Sequence, residues 1–306
     1  MEVYEPISLP DLWVPGEYGL ASVVNWVTGP AHWGGGVQYD EDCAEVNVTV
    51  SPCISGAPEI AAKDITWSHR TRGARPFDVF ARADCSPGGS TWWDDAQTKV
   101  LKSLAQEGPT QMEATFWTGA VDNPPLLNYP NLASTGPVFD STGRILLQPA
   151  NQAIISGTTP LDIVEGLGRL EAALGTQYSG QGVIHAPKIL GPALSAQKLI
   201  YEKNGKLYTY CGNLVAVGNG YPSNVGPGFT TPPAGSTWMF ATGPIFGLRG
   251  QPKTFTRDES FNRPVNTLQM IAEQKILLGY LCGLAAVLVT SGGEPAGQPN
   301  TPLIAT

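Results

Sequence analysis

The stretch "WWDDAQTKVLKSLAQEGPTQMEATFWTG", residues 92–119, constrains this chain more than any other. Its density of helix formers, with Asp94 or Thr91 as the cap, predicts a long helix over roughly 93–118. Leu101, Leu104, Gly108, Met112 and Phe116 recur at spacings of three and four, so they share one stripe. Gly119 supplies the stop. Inside the run, Gly108-Pro109 predicts a kink, because proline removes a helix hydrogen bond and crowds the preceding turn.

Most of what surrounds this helix reads as strand. "GRILLQP" and "NQAIISG" are short strands or connectors. A second helix is expected at 160–174, with Pro160 in its first turn and Leu161, Val164, Leu167 (or Gly168), Glu171 and Leu174 along one side. "GVIHAP" follows as a short buried strand, and "KILGPALSAQKLIY" as a helix. "GKLYTYCGNLVAVGNGYP" reads as two strands joined near Cys211-Gly212. "STWMFATGPIFGLRG" and "VNTLQMIAEQKILLGYL" supply further strands, "LAAVLVT" is a continuous apolar one, and the tail 291–306 is polar. Helices and strands in this mixture give an α+β fold.

The first 75 residues differ. Proline at 6, 10, 15 and 30 with glycine at 16, 19, 29 and 34–36 forbids a long helix, so residues 1–38 form an extended arm. The arm's large apolar groups, among them Trp13 and Trp26, are expected to lie on another surface. "AEVNVTVSP" alternates with period two, "SGAPE" turns, and "DITWSHRTR" returns, which predicts a long charged hairpin. Asp40, Glu41, Asp42 and Glu45 sit on one arm of it, and Arg70, Arg72 and Arg75 follow the other. These opposite charges are either a solvated face or pairs made between neighbouring subunits.

Charge excludes some functions. Residues 1–98 hold 14 acids and 5 bases, while the rest is close to neutral, so no basic stripe for phosphate backbones exists. Only 14% of residues are charged, well under the usual quarter, as in a chain that either exposes little surface to water or covers its surface with partners. The acidic, proline-broken amino terminus is not a signal peptide, and the longest apolar run, 276–289, falls short of the ~20 residues of a membrane span.

Site chemistry is thin. The five cysteines show no C-x-x-C and the three histidines lie far apart, so no metal site is expected and the cysteines read as reduced small hydrophobes. There is no G-x-S-x-G elbow. Asp94-Asp95 and Asp258-Glu259 suit caps and turns better than acid–base pairs, and "VGNGYPSNVGPG" lacks the spacing of a phosphate loop. His185, with Asp162 or Glu165, is the one hydrolase constellation worth carrying forward. Its competitor is a histidine packed within its strand and turn. No catalytic residue and no cofactor is assigned.

The order of elements is arm, long hairpin, long helix ending in "TG", helix, "VIHAP" strand, helix, "GNLVAVG" strand, return strands and terminal apolar strand. That order resembles the major capsid proteins of tailed bacteriophages and the related encapsulin shells. The pattern is carried by the long helix, by "LDIVEGLGRLEAALGTQYSGQGVIHAPKILGPAL…CGNLVAVG" and by "AEQKILLGYLCGLAAVLV". The resemblance covers residues 40–290, and the Gly108-Pro109 pair departs from a straight spine helix.

The resemblance implies an arm at 1–38, an extended loop at 39–75 and a peripheral domain with the spine helix at 76–150. It further implies an axial domain at 151–235, peripheral return strands at 236–280, and a terminal axial strand and tail at 281–306. The implied function is a non-enzymatic subunit that self-assembles, as hexamers and pentamers, into the icosahedral head shell around packaged viral DNA. It would touch that DNA without sequence specificity, work with scaffold or decoration proteins, contact no membrane, and assemble in the host cytoplasm. An encapsulin compartment and a tail or connector component are the neighbouring alternatives. Candidate contacts between subunits are Trp13, Trp26, Asp40, Glu41, Asp42, Arg70, Arg72 and Arg75. Some relatives crosslink a loop lysine to an asparagine of a neighbour, a role open here to Lys63.

Overall fold

The computed structural model describes residues 16–30, 32–41, 70–85, 92–121, 126–128, 130–134, 138–139, 145–147, 153–154, 159–255, 261–262 and 267–291. The chain opens with a short helix α1 (Leu20–Val23) and strands β1 (Asn25–Trp26) and β2 (Val37–Glu41). It continues through β3 (Arg70–Ala74) and β4 (Pro76–Cys85) into the long helix α2 (Trp92–Thr118). Short strands follow: β5 (Ala120–Val121), β6 (Leu126–Leu127), β7 (Val138–Phe139), β8 (Ile145–Leu147) and β9 (Ala153–Ile154). Then come α3 (Ile163–Gln177), β10 (Val183–Pro187), α4 (Gly191–Ala196), β11 (Ile200–Lys203), β12 (Lys206–Thr209) and β13 (Leu214–Gly218). The last strands are β14 (Ser236–Thr242), β15 (Ile245–Arg249), β16 (Lys253–Thr254), β17 (Phe261–Asn262), β18 (Thr267–Tyr280) and β19 (Leu284–Thr290).

Two large sheets organise these elements. In the six-stranded one, β18 is the hub: β4 runs antiparallel along one edge from Pro76 to Cys85. β17, β16 and β15 pair in succession along the other edge, and β1 joins β15 in parallel. The seven-stranded sheet has the order β11-β12-β13-β10-β14-β19-β9. Its central strand β10 is parallel to β13 and antiparallel to β14. The sequence groups β14 with the return strands after 236, whereas β14 pairs in the seven-stranded sheet; the chain changes sheets at Gly243-Pro244.

The long helix spans 27 residues, about 40 Å at 1.5 Å per residue, and lies against both sheets. Ala96, Val100, Leu104, Gly108, Met112 and Phe116 are buried along it, close to the expected stripe. It runs through Pro109, as the expected span of 93–118 requires. Pro109 is exposed, and so is Ala105, four residues before it, whose carbonyl loses its helical donor. Gly119 stops the helix with φ +71°, where its own N–H reaches the Thr115 carbonyl at 2.7 Å. The freed carbonyls of Phe116 and Trp117 accept from the N–H groups of Leu132 and Ala133 at 3.0 and 2.9 Å.

The second helix starts later than expected because Asp162 caps it: its carboxylate accepts from the Val164 N–H at 2.8 Å. That offset rotates the buried face to Ile163, Gly166, Leu167, Leu170 and Leu174, and leaves Val164 47% exposed. These residues join Ile184, Met239, Ala285, Val287 and Val289 in one core on the α3 side of the seven-stranded sheet. On the other side Phe116, Trp117, Val183, Phe240, Leu284 and Leu288 form a second core, which extends to Phe77, Val79, Met270 and Ile276 of the six-stranded sheet. The expected helix at "KILGPALSAQKLIY" is shorter than its pattern: a 3-10 turn and α4 end by Ala196, and Ile200-Tyr201 already belong to β11.

Part of the arm departs from expectation. Leu20, Val23 and Val24 are buried in this chain's own core, so the arm from Leu20 onward belongs to the subunit body. Cys282 is disulfide-bonded, against the reading of five reduced cysteines, while Cys211 is free and exposed.

Candidate assembly surfaces and a buried polar joint

The base of the extended hairpin is formed by β2 and β3, antiparallel, with Glu41 opposite Arg70, Asp40 opposite Thr71 and Tyr39 opposite Arg72. The Tyr39 hydroxyl donates to the Tyr280 carbonyl at 3.1 Å and its ring meets Phe246 edge-on, which ties the base to the six-stranded sheet. Asp40, Glu41, Arg70 and Arg72 thus lie on the paired strands, and exposed Arg75 lies in the link to β4. Trp13, Asp42, Lys63 and the hairpin between 42 and 69 fall outside the described residues. Trp26 is half-buried and engaged within the chain. The Arg249 guanidinium lies 4.8 Å from its ring centre, and its indole N–H donates to the Ala21 carbonyl at 3.3 Å.

A surface that the sequence reading did not single out lies on β4. Phe77 and Val79 point into the core, while Asp78, Phe80 and Arg82 point outward. Phe80 is 64% exposed, opposite Glu273 on β18, and an Asp78–Lys275 ion pair of 2.9 Å lies two residues away. An exposed aromatic rimmed by charges is the composition of an interface patch. The alternation in "PFDVFARA" carried that signal.

His185 is fully buried in β10. Its Nδ1 is 2.9 Å from the Tyr221 hydroxyl and its Nε2 is 3.0 Å from the Thr242 hydroxyl. Burial depresses its pKa to about 3, so the imidazole is neutral. Its bonds thus reach across to the neighbouring strand and to the segment after β13, and not into its own turn. Neither carboxylate of the hydrolase constellation reaches it. Asp162 caps α3, and Glu165 pairs with Arg169 one turn on, both away from the buried face of that helix. With both ring nitrogens taken by neutral hydroxyls, His185 is a core crosslink. Among the described residues no group of three metal-ligating side chains forms, and no helix is long and apolar enough to cross a membrane.

The residue that sequence reasoning missed is Glu113. It lies on α2 and is 3% exposed. One carboxylate oxygen accepts from the N–H of Leu20, the first residue of α1, at 2.9 Å; the other accepts from the Gly220 N–H at 2.7 Å. Burial raises its pKa, while hydrogen bonds from the Gly220, Leu20 and Asn219 backbones and the charge of Lys188 oppose that rise. A side chain at Gly19 or Gly218 would run into this carboxylate, and one at Gly220 into the Thr110 carbonyl. The glycines therefore let three segments (arm, long helix and the turn after β13) meet at one buried carboxyl group. A mid-helix glutamate beside the apolar stripe gives no sign of this, although Gly19, Gly218 and Gly220 mark a close approach.

No protein-family profile and no curated protein matches the sequence. Solved structures do match. The capsid of the native GTA particle, computed with C5 symmetry, aligns at TM-score 0.57 and 10% identity over 95% of this chain and 95% of that one. The capsid of the empty GTA particle aligns at 0.56 and 11% over the same shares. The holo-SrpI encapsulin complex from Synechococcus elongatus PCC 7942 aligns at 0.53 and 11%, over 97% of this chain and 96% of that one. The α+β architecture of this chain is thus the fold these shell subunits share.

Proposed function

We propose that this chain is the major subunit of a bacteriophage-type icosahedral shell, a structural protein and not an enzyme. The observation that carries the reading is the fold shared with capsid subunits over 95% of both chains. On this reading α2 with the six-stranded sheet is a peripheral domain, and the seven-stranded sheet an axial one. Copies assemble as hexamers and pentamers in the host cytoplasm and enclose packaged viral DNA. The low charge content and lack of a basic stripe suit an inner wall that does not hold the DNA by sequence. Contacts between subunits fall on the hairpin charges Asp40, Glu41, Asp42, Arg70, Arg72 and Arg75, on Trp13 and on the Phe80 patch. Trp26 contributes through the surface it shares with Arg249. Scaffold and decoration proteins are further partners.

Sizing and electron microscopy of the purified chain test this. Closed shells or capsomer rings are expected. A monomer that stays monomeric at high concentration, under every assembly condition, overturns it. The SrpI match supports a second reading, an encapsulin compartment. Shells that co-purify with a cargo enzyme and no DNA would select it.

A further inference from the structure

The β11–β12 hairpin carries an aromatic strip that nothing among the described residues covers. Tyr201 and Tyr208 are cross-strand partners with stacked rings 5.8 Å apart, and Tyr210 packs on Tyr201 at 5.3 Å. Tyr201 is 38% and Tyr210 71% exposed. Side chains alternate along a strand, so Lys203 and Lys206, paired beside the turn at Asn204-Gly205, share this face, while Glu202 takes the other. Tyr208 pairs with Leu214, which packs on the core beneath α1 and α2. The strip therefore lies on that face of the seven-stranded sheet, at its β11 edge.

A second uncovered surface lies on α3, on the other face and toward the other edge. Gly166 of α3 abuts Val289 of β19, next to the edge strand β9. Outward the helix presents Val164, 47% exposed, with Glu165, Gly168, Arg169 and Ala172 exposed beside it and Asp162 exposed at its start. Glu165 is paired with Arg169, which leaves Asp162 as the surplus charge. This surface is acidic and has an apolar part, where the hairpin face is basic and aromatic.

The two surfaces also match in order. The row Tyr208, Leu214, Val183, Thr242 and Leu284 crosses the sheet. Gln177, the last residue of α3, accepts from the Leu284 N–H at 3.1 Å, on that row. Leu161, ahead of α3, bridges to Val289 at the far end of β19. Toward the row, then, α3 runs from its acids to Ala172, and the hairpin runs from Lys206 to its tyrosines. The acids and the lysines lie at the same end of the sheet, five strand spacings or about 24 Å apart, too far to meet within one chain. A rotation about an axis along the strands preserves that end and brings one edge of a subunit to the opposite edge of the next.

We propose that the tyrosine–lysine face of one copy laps over the outer face of α3 in a second copy, a head-to-tail contact that rests on the shell function proposed above. Lys203 and Lys206 meet Asp162 and Glu165, and Tyr201 and Tyr210 cover Val164, Gly168 and Ala172. The contact joins opposite edges and opposite faces of one sheet. Each copy therefore uses both surfaces, and the contact repeats from copy to copy around a ring.

Exposed Cys211 is first replaced, as Cys211→Ser, to remove the free thiol beside the strip. In that background full-length Tyr201→Cys and Gly168→Cys proteins are mixed under assembly conditions and treated with a short bis-maleimide, and the products are mapped by peptide mass. Crosslinks between the two proteins are expected, and a chain carrying both substitutions should give a ladder of dimers and larger oligomers. Adding Lys203→Glu/Lys206→Glu should lower the yield about tenfold by setting like charges together, and Glu165→Lys in the partner should restore it. Circular dichroism checks that every variant stays folded. Crosslinks from position 201 only to the same position, to its own chain or to any other surface overturn the contact, as does a yield indifferent to the charge changes. Electron microscopy of the same samples separates the two readings. Shells without this crosslink overturn the contact alone, and subunits that stay dispersed under every condition overturn both.

Discussion

The two large sheets bury themselves in different ways. β14, in the seven-stranded sheet, is buried at every position, and β19 at all but its last, because α3 lies on one face and α2 with α1 on the other. β4, in the six-stranded sheet, alternates, with Phe77 and Val79 under α2 and Asp78, Phe80 and Arg82 facing out. A sheet covered on both faces holds the fold together; the second face of the six-stranded sheet is covered by Trp33, Val37 and Tyr39 at Leu248 and Leu277 and is open at β4. Stability and assembly should therefore respond to different substitutions.

The largest effect is expected in the doubly covered sheet. Phe240→Ala removes a fully buried ring that meets Trp117 edge-on at 4.7 Å, and should cost about 3–5 kcal/mol in denaturant melts. A loss under about 1 kcal/mol would mean that core repacks freely. Glu113→Gln comes next. Its amide keeps only one acceptor oxygen for the backbone donors of Leu20, Gly220 and Asn219, so about 1–3 kcal/mol should be lost, with amide exchange at Leu20 and Gly220 accelerated.

His185 gives a pH test. Its pKa falls from 6.5 in the unfolded chain to about 3 in the fold, so the unfolded state binds the proton first as pH drops. Its contribution is complete above about 6.5 and is lost as pH falls from there to about 3, at about 1.4 kcal/mol per pH unit. His185→Gln should flatten the stability profile by that slope; an unchanged profile would place a proton on the buried ring. The smallest stability effect belongs to Phe80→Ser, within about 0.5 kcal/mol, because the side chain is exposed. Its assembly yield should nonetheless fall, and an unchanged yield would remove β4 from the contact surface.

Much of this architecture was legible in the residues. The long helix, its glycine stop, the "VIHAP" strand and the "LAAVLVT" strand follow from local periodicity and turn chemistry, which tertiary contacts here reinforce. What was not legible depends on contacts distant in sequence. Val164 turns outward because Asp162 resets the start of α3. The arm's entry into the core depends on a glutamate 93 residues away. His185 drew attention through residue type alone, yet its hydroxyl partners are 36 and 57 residues on. An assembly surface is harder still to read, since its partner is another molecule; on the proposed reading the outward Phe80 in an alternating strand is one sign of it.

The meeting of Leu20 and Gly220 on one carboxylate has a consequence for how the subunit breathes. If either segment lifts away, the buried Glu113 carboxyl loses part of its backbone donors, which raises the cost of stopping there. The two segments should open together. Their amides would then share one opening free energy, and the arm at Leu20 and the turn after β13 would behave as a single cooperative unit despite being 200 residues apart in the chain.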